Sequence, residues 1–407
     1  MNKIGIIAEY NPFHNGHEYQ ISRAKELAGS EYVIVCMSGN FVQRGGPAIV
    51  DKNIRARMAI ENGASIVIEL PMPFSCQSAE DFAYASIMEL KKMEVSHLSF
   101  GAETDNVNLL YDIANMQLDE NSIYNIHVKK YLDDGLSYAN ACMNAVMDCY
   151  KNSDFADEIN QVFKANNILG IEYIKACIKL DYEPEIIIVK RTGNDHNEIN
   201  DRQGKYSSAM SIRRNILAGD LNIENKMPEA AFALLRGEYE NNHMHIGLYF
   251  DYIKFLILQK TAEELNQIYG MEEGIENRIR QTILNAENMD DFFDRVISKR
   301  YNRAKISRLI NNILLNIRKK DIVQIKNDTS SYVKILAMNS HGGEILSELR
   351  DKLIYISKFS DFKRNGIDAE KDLRFSLTAR TTNIYNHLYL KDYKDNLEYK
   401  TPCQYIK

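Results

Sequence analysis

Lys3-Ile-Gly-Ile-Ile-Ala-Glu-Tyr-Asn-Pro-Phe-His-Asn-Gly-His17 decides the fold. Lys3–Ala8 is a short apolar run that reads as a buried β-strand, and His17–Leu27 carries a helical pattern. Between them lies Asn11-Pro-Phe-His-Asn-Gly-His17. A loop at the carboxyl end of a first parallel strand is where doubly wound sheets take their ligands. The helix that follows presents unpaired N–H groups and the positive end of its dipole to an anion. Gly16 permits close backbone approach to a phosphate. His14 and His17, three residues apart, share one face of the first helical turn and can donate to phosphate oxygens. Imidazole donors aimed at an α-phosphate would offset the charge that builds when it is attacked. The bland alternative is a solvated loop with two incidental histidines. The strand before, the helix after and the glycine between make the site reading the better one.

Outward from this segment, strands and helices alternate. Strands are expected at Tyr32–Met37, Ser65–Leu70 and His97–Phe100, with helices at Asp51–Glu61 and Ala79–Met93. This order implies βαβ units and a Rossmann-like parallel α/β sheet. From Asp105 to about Leu180 the pattern is helical, Glu185–Lys190 is a buried strand, and Ser207–Arg213 opens another helix. Beyond about Pro228 the apolar spacing is three and four, as in Ile253–Leu258, Ile306–Ile317 and Ile345–Ile356. The expected division is residues 1–228 as an ATP-binding catalytic domain, with a helical insertion at about 105–180. Residues 229–407 form a mainly helical domain, with a Tyr-rich tail as a candidate to return to the sheet.

The 407 residues are 45% hydrophobic, enough for a sizeable core, and no apolar run is long enough to span a bilayer. The N-terminal segment reads as a strand and not as a signal peptide, so a cytoplasmic location is expected. Six cysteines form no C-x-x-C pair, and no His/Cys cluster has zinc-ligand spacing. The net charge of −6 argues against a surface coated for nucleic acid, but one stretch departs from it. Between Arg295 and Lys320 stand Arg295, Lys299, Arg300, Arg303, Lys305 and Arg308, then Arg318, Lys319 and Lys320, with no acidic residue among them. A local basic stripe is an electrostatic footprint for phosphate, against the alternative of a merely solvated helix face.

Five segments together resemble bacterial tRNA(Met) cytidine acetate ligases, of the HIGH-type nucleotidyltransferase superfamily that also includes pantothenate synthetases and nicotinamide-nucleotide adenylyltransferases. They are Gly5–His17 with its His14-Asn-Gly-His17, Met37-Ser-Gly-Asn-Phe-Val-Gln-Arg-Gly, Glu69-Leu-Pro, Asn167-Ile-Leu-Gly-Ile-Glu-Tyr173 and Ser208-Ala-x-x-Ile-Arg213. The resemblance implies a reaction in two steps. Acetate attacks the α-phosphate of ATP, and the acetyl-adenylate then acylates the wobble cytidine of elongator tRNA(Met). It implies catalytic roles for His14 and His17. The nucleotide-binding positions it carries over are Ile7, Ala8, Glu9, Tyr10, Asn11, Pro12, Phe13, His14, Asn15, Gly16, His17, Glu18, Tyr19, Gln20, Gly101, Asn166 and Arg191. Mg2+ is expected to accompany the nucleotide, with no protein metal site identified.

The residues themselves leave alternatives open. Gly101 is equally a turn glycine, Asn166 an N-cap, Arg191 an exposed strand-end arginine. Ser208 and Arg213 are candidates for phosphate, or parts of a serine-capped helix. Ala209 and Met210 stand where relatives usually carry Ser and Thr, which removes two hydroxyl donors. Gln43 and Arg44, in the loop after the second strand, are candidates for the acetate carboxylate or the target base. Two other classes compete: a small-molecule adenylyltransferase or acyl-adenylate ligase without RNA, and a non-catalytic RNA-binding protein with a regulatory nucleotide site.

Overall fold

A computed structural model describes residues 1–153, 155, 158–159, 162–190, 207–241, 249–272, 274–298, 300–327, 332–389 and 397–407. Its centre is an α/β sheet built on β1 (Lys3–Ala8), β2 (Tyr32–Ser38), β5 (Ile66–Leu70), β6 (His97–Ala102) and β7 (Glu185–Lys190). These five run parallel in the order β5-β2-β1-β6-β7. The sheet reverses its direction of growth at β1, so the crevice beside the end of β1 is the switch point where such sheets take ligands. Two short strands, β3 (Phe41–Val42) and β4 (Gly46–Pro47), pair with each other in the loop after β2.

Both faces of the sheet are covered, and the side chains of β2 show how. Val33, Val35 and Met37 join one apolar cluster with Ile4, Ile6 and the helices Asn15–Ala28 and Lys52–Glu61. Ile34 and Cys36 belong to the other, with helices Ala79–Lys92 and Ala165–Lys179. Near-continuous apolar strands are what a sheet buried on two faces requires.

Helices dominate beyond residue 228, and much of their core joins the same cluster as Ile34 and Ile68. The chain is not helical throughout there. β8 (Tyr332–Met338) pairs antiparallel with β5, and β9 (Ile354–Ile356) and β10 (Gln404–Tyr405) pair with β8. Ile345–Ile356, expected as one helical stretch, is helical only to Glu348 before turning into β9. Short apolar runs such as β8 do not announce their state by spacing alone, and pairing with the edge of β5 decides it.

A buried charge cluster ties this return to the sheet. Lys52 lies 2.6 Å from Glu69 and 2.8 Å from Glu398, while Lys334 on β8 pairs with both carboxylates. Thr382 donates to Glu398 over 2.9 Å. Burial works to raise the Glu69 carboxyl, but Lys52 and Lys334 outweigh it and hold it below its usual value. Stability from such a group is present above its unfolded pKa of about 4.3 and is lost as pH falls through the lower folded value. The melting temperature is therefore expected to drop on acidification below about pH 4, and less steeply in Glu69→Gln. An unchanged acid slope in that variant would remove Glu69 from the effect.

Candidate functional site

His14 and His17 are placed by a reciprocal cap. His14 is the N-cap of helix Asn15–Ala28, in extended conformation, and its Nδ1 accepts from the Gly16 N–H at 3.1 Å. His17 is the third helical residue, and its Nδ1 accepts from the His14 N–H at 3.3 Å. This is a capping box in which imidazoles take the places more often held by Ser and Glu. The two rings stack with centroids 3.7 Å apart, and Tyr10 and Phe13 pack on His17 at 4.7 and 5.5 Å. An Nδ1 that accepts leaves the proton of a neutral imidazole on Nε2. The cap thus turns both histidines into Nε2–H donors of fixed orientation.

They line a cavity of about 190 Å3 beside the carboxyl ends of β1 and β6. It gathers twelve of the expected positions: Ile7, Ala8, Glu9, Tyr10, Asn11, His14, His17, Gln20, Gly101, Asn166, Ser208 and Arg213. Pro12, Phe13, Asn15, Gly16, Glu18 and Tyr19 are not among its lining residues. Phe13 is buried in the core, the Asn15 amide donates to the Asn225 carbonyl, and Glu18 is exposed. Arg191 lies outside the described residues.

Local structure refines several expectations. Asn166 is not an N-cap: it is the second residue of helix Ala165–Lys179, and its amide donates to Glu103 at 2.6 Å. Beside it the buried Asn167 accepts from the N–H groups of Glu103 and Thr104, which fixes the chain just past β6. Gly101 sits within β6, paired to Val189, and not in a turn after it. Ser208 does cap helix Ala209–Leu217, accepting from the Ser211 N–H at 3.2 Å. Arg213, one turn on, donates to the Asn11 carbonyl at 2.7 Å and so braces the histidine loop. Burial pulls its guanidinium below the ordinary value; the Glu9 carboxylate opposes this and Arg44 adds to it.

Three lining residues were not singled out from the sequence: Phe100, Leu169 and Tyr173. A signal for two of them was present, because 166, 169 and 173 follow helical spacing and share a face. The Phe100 and Tyr173 rings lie 5.7 Å apart, and a Cβ on Gly170 would stand 2.6 Å from Phe100. Arg55 was missed as well. It is fully buried and donates to the carbonyls of Glu9, Ser38, Gly39 and Val50, which holds together the ends of β1 and β2.

The basic stripe is less bare than its own sequence suggests. Arg295 pairs with Asp291 at 2.6 Å, Arg303 with Asp290 at 3.0 Å and Lys305 with Glu272 at 2.6 Å. Arg303 also lies over the Phe293 ring and Arg300 over Tyr301. The balancing carboxylates come from outside the 295–320 window, which corrects the premise of unopposed charge. Arg308 is packed against the loop after β2: a Cβ on Gly45 would stand 2.4 Å from the Arg308 backbone nitrogen, and Ser307 donates to the Gly45 carbonyl. Lys299 lies outside the described residues. Among the described residues, no group of three or more His, Cys, Asp or Glu is placed to hold a metal ion.

Comparison with known proteins places this geometry. A model described as HIGH Nucleotidyl Transferase matches residues 1–400. A tRNA(Met) cytidine acetate ligase of Caldicellulosiruptor saccharolyticus is 34% identical, covering 100% of this chain and 99% of its own. One of Thermoanaerobacter is 36% identical, with 96% of each chain covered. The chain belongs to the HIGH nucleotidyl transferases, in the branch of the tRNA(Met) cytidine acetate ligases. Crystal structures of TmcAL from Thermotoga maritima superpose over 100% of both chains at 28% identity. The TM-score is 0.92 for the apo form and 0.90 for the form bound with α-thio ATP. The match to the ligase family spans the His14-Asn-Gly-His17 box, the parallel sheet behind it and the helices beyond residue 228 alike. No described helix is long and apolar enough to cross a membrane.

Proposed function

We propose that the chain is an ATP-dependent ligase that joins acetate to the exocyclic amine of the wobble cytidine in elongator tRNA(Met), forming N4-acetylcytidine, AMP and pyrophosphate. The observation that carries this reading is the histidine capping box, which holds two Nε2–H donors at a helix N-terminus in a cavity at the sheet's switch point. An acetate oxygen attacks the α-phosphorus of ATP and pyrophosphate leaves, giving acetyl-adenylate. Charge grows on the α-phosphate oxygens in that step, and preorganised donors offset it without reorganising. The amide and apolar side of the cavity, with Gly101, Asn166, Leu169 and Tyr173, suits the nucleoside. Arg213 and the Ser208 helix suit the phosphates. Among the described lining residues Glu9 is the one acidic side chain, so any Mg2+ would be coordinated mainly by the nucleotide's own phosphates. A division into a catalytic unit, 1–228, and an RNA-facing unit, 229–407, belongs to this reading, as does a cytoplasmic location.

The test is incubation with ATP, labelled acetate and total tRNA, followed by nucleoside analysis. Labelled acetylcytidine is the expected result. ATP turnover with acetate and no labelled nucleoside would instead support a ligase for small molecules.

For the RNA, the proposal keeps Arg295, Lys299, Arg300, Arg303, Lys305 and Arg308 as the candidate surface. Exposed ion pairs contribute little stability, so a phosphate can displace Asp290 from Arg303. The double variant Arg300→Ala, Arg303→Ala should weaken tRNA binding and lower the slope of log affinity against log salt by about one to two. An unchanged slope would rule this surface out.

A further inference from the structure

A carboxylate in a cavity meant for a triphosphate needs an explanation. Glu9 is the one acidic residue among the described lining residues, where it repels the very ligand the site is built to hold. Its position is fixed, not incidental. The Gln43 N–H donates to its Oε1 at 2.9 Å, and Arg55 holds its backbone carbonyl.

The cavity has two unlike sides. One, at β6 and helix Ala165–Lys179, offers Gly101, Asn166, Leu169 and Tyr173. The other, toward the loop after β2, offers Glu9 and Arg44. That same loop rests at Gly45 on Ser307 and Arg308, in the helix Arg303–Leu314 that carries part of the candidate RNA surface. The loop thus connects the Glu9 side of the cavity to the helix on which an RNA strand would lie. The group that strand must present is an amine, and carboxylates accept hydrogen bonds from cytosine N4. The N4 lone pair is delocalised into the ring, so the amine is a weak nucleophile that gains from a base as its bond to carbon forms.

We infer that Glu9 is a catalytic residue of the second half-reaction, its carboxylate binding the exocyclic amine of the cytidine and taking the proton that the amine loses on acetylation. The N4 lone pair forms the bond to the acetyl carbonyl carbon. The bond from that carbon to the adenylate oxygen breaks, and AMP leaves with the electron pair. The N4 proton passes to Glu9 and from there to solvent. This inference rests on the proposed acetate-ligase reading.

Glu9→Gln keeps an acceptor for the Gln43 N–H and removes the base. Two rates are compared in the full chain: acetate-dependent ATP–pyrophosphate exchange without RNA, and acetylcytidine formation on an elongator tRNA(Met) transcript. The ratio of exchange to transfer is expected to rise at least about tenfold over the natural protein, and Glu9→Asp should recover part of the transfer. A parallel fall in both rates, or a fall in exchange that added Mg2+ restores, would make Glu9 an ATP or metal ligand and overturn the inference. An unchanged ratio would also overturn it. If the natural protein makes no acetylcytidine at all, the parent reading fails and this inference with it.

Discussion

Replacing His14 or His17 by alanine is expected to lower acetate-dependent ATP–pyrophosphate exchange by about 100- to 1000-fold, the range measured for loss of one preorganised oxyanion donor. Binding of tRNA should change by less than about twofold, because on the proposed reading the basic surface around Arg300 and Arg303, and not the two histidines, supplies most of the RNA affinity. His14 needs a control, since it also caps its helix through Nδ1. Loss of an N-cap costs about 1 kcal/mol, and a loosened helix would lower activity for the wrong reason. His14→Asn separates the two roles. Asparagine is a good N-cap, so the Gly16 N–H keeps its acceptor while the Nε2–H donor disappears. Exchange that survives in His14→Asn but not in His14→Ala would reduce His14 to a cap. Exchange lost in both, with unchanged melting temperature in the Asn variant, is the expected outcome.

Arg55→Met should be the most destabilising single change near the site. The guanidinium is fully buried and its partners are the carbonyls of Glu9, Ser38, Gly39 and Val50. Each buried carbonyl left without a donor costs about 1–3 kcal/mol. Against this, removing a buried charge relieves its desolvation, a penalty of several kcal/mol for an ion. The carbonyls themselves already meet much of that need, so the lost bonds win, and a net loss of about 4 kcal/mol is expected. Chemical denaturation reads it directly as a lower midpoint. Arg55→Lys, with a single ammonium in place of a planar fork, should fall between. An unchanged midpoint in Arg55→Met would mean the end of β1 is held by something else.

The central sheet was legible because its strands are short, apolar and bounded by turn residues. β1 and β7 begin and end where the sequence puts them, and β2, β5 and β6 agree within two residues. β8 was not, since a seven-residue apolar run after a helical segment carries no period that separates the two states. That the two histidines line one cavity was legible from their spacing. That their own cap fixes which nitrogen donates was not, because it depends on the conformation of His14. Charge balance was the least legible part. Asp291 stands four residues before Arg295 and could have been noticed, but Glu272 meets Lys305 across 33 positions that only the fold brings together.

β8 has a consequence for how the protein is made. It closes the edge of β5 from about 260 residues further along the chain. At roughly 5–20 residues per second of synthesis, the apolar edge Ile66-Val-Ile-Glu-Leu70 waits on the order of ten to fifty seconds before its partner leaves the ribosome. During that interval a nascent chain has an unpaired strand of the kind that recruits other strands. Slow translation or a premature stop before residue 332 should therefore send this protein toward aggregates, even with every residue of the nucleotide cavity up to Arg213 already synthesised.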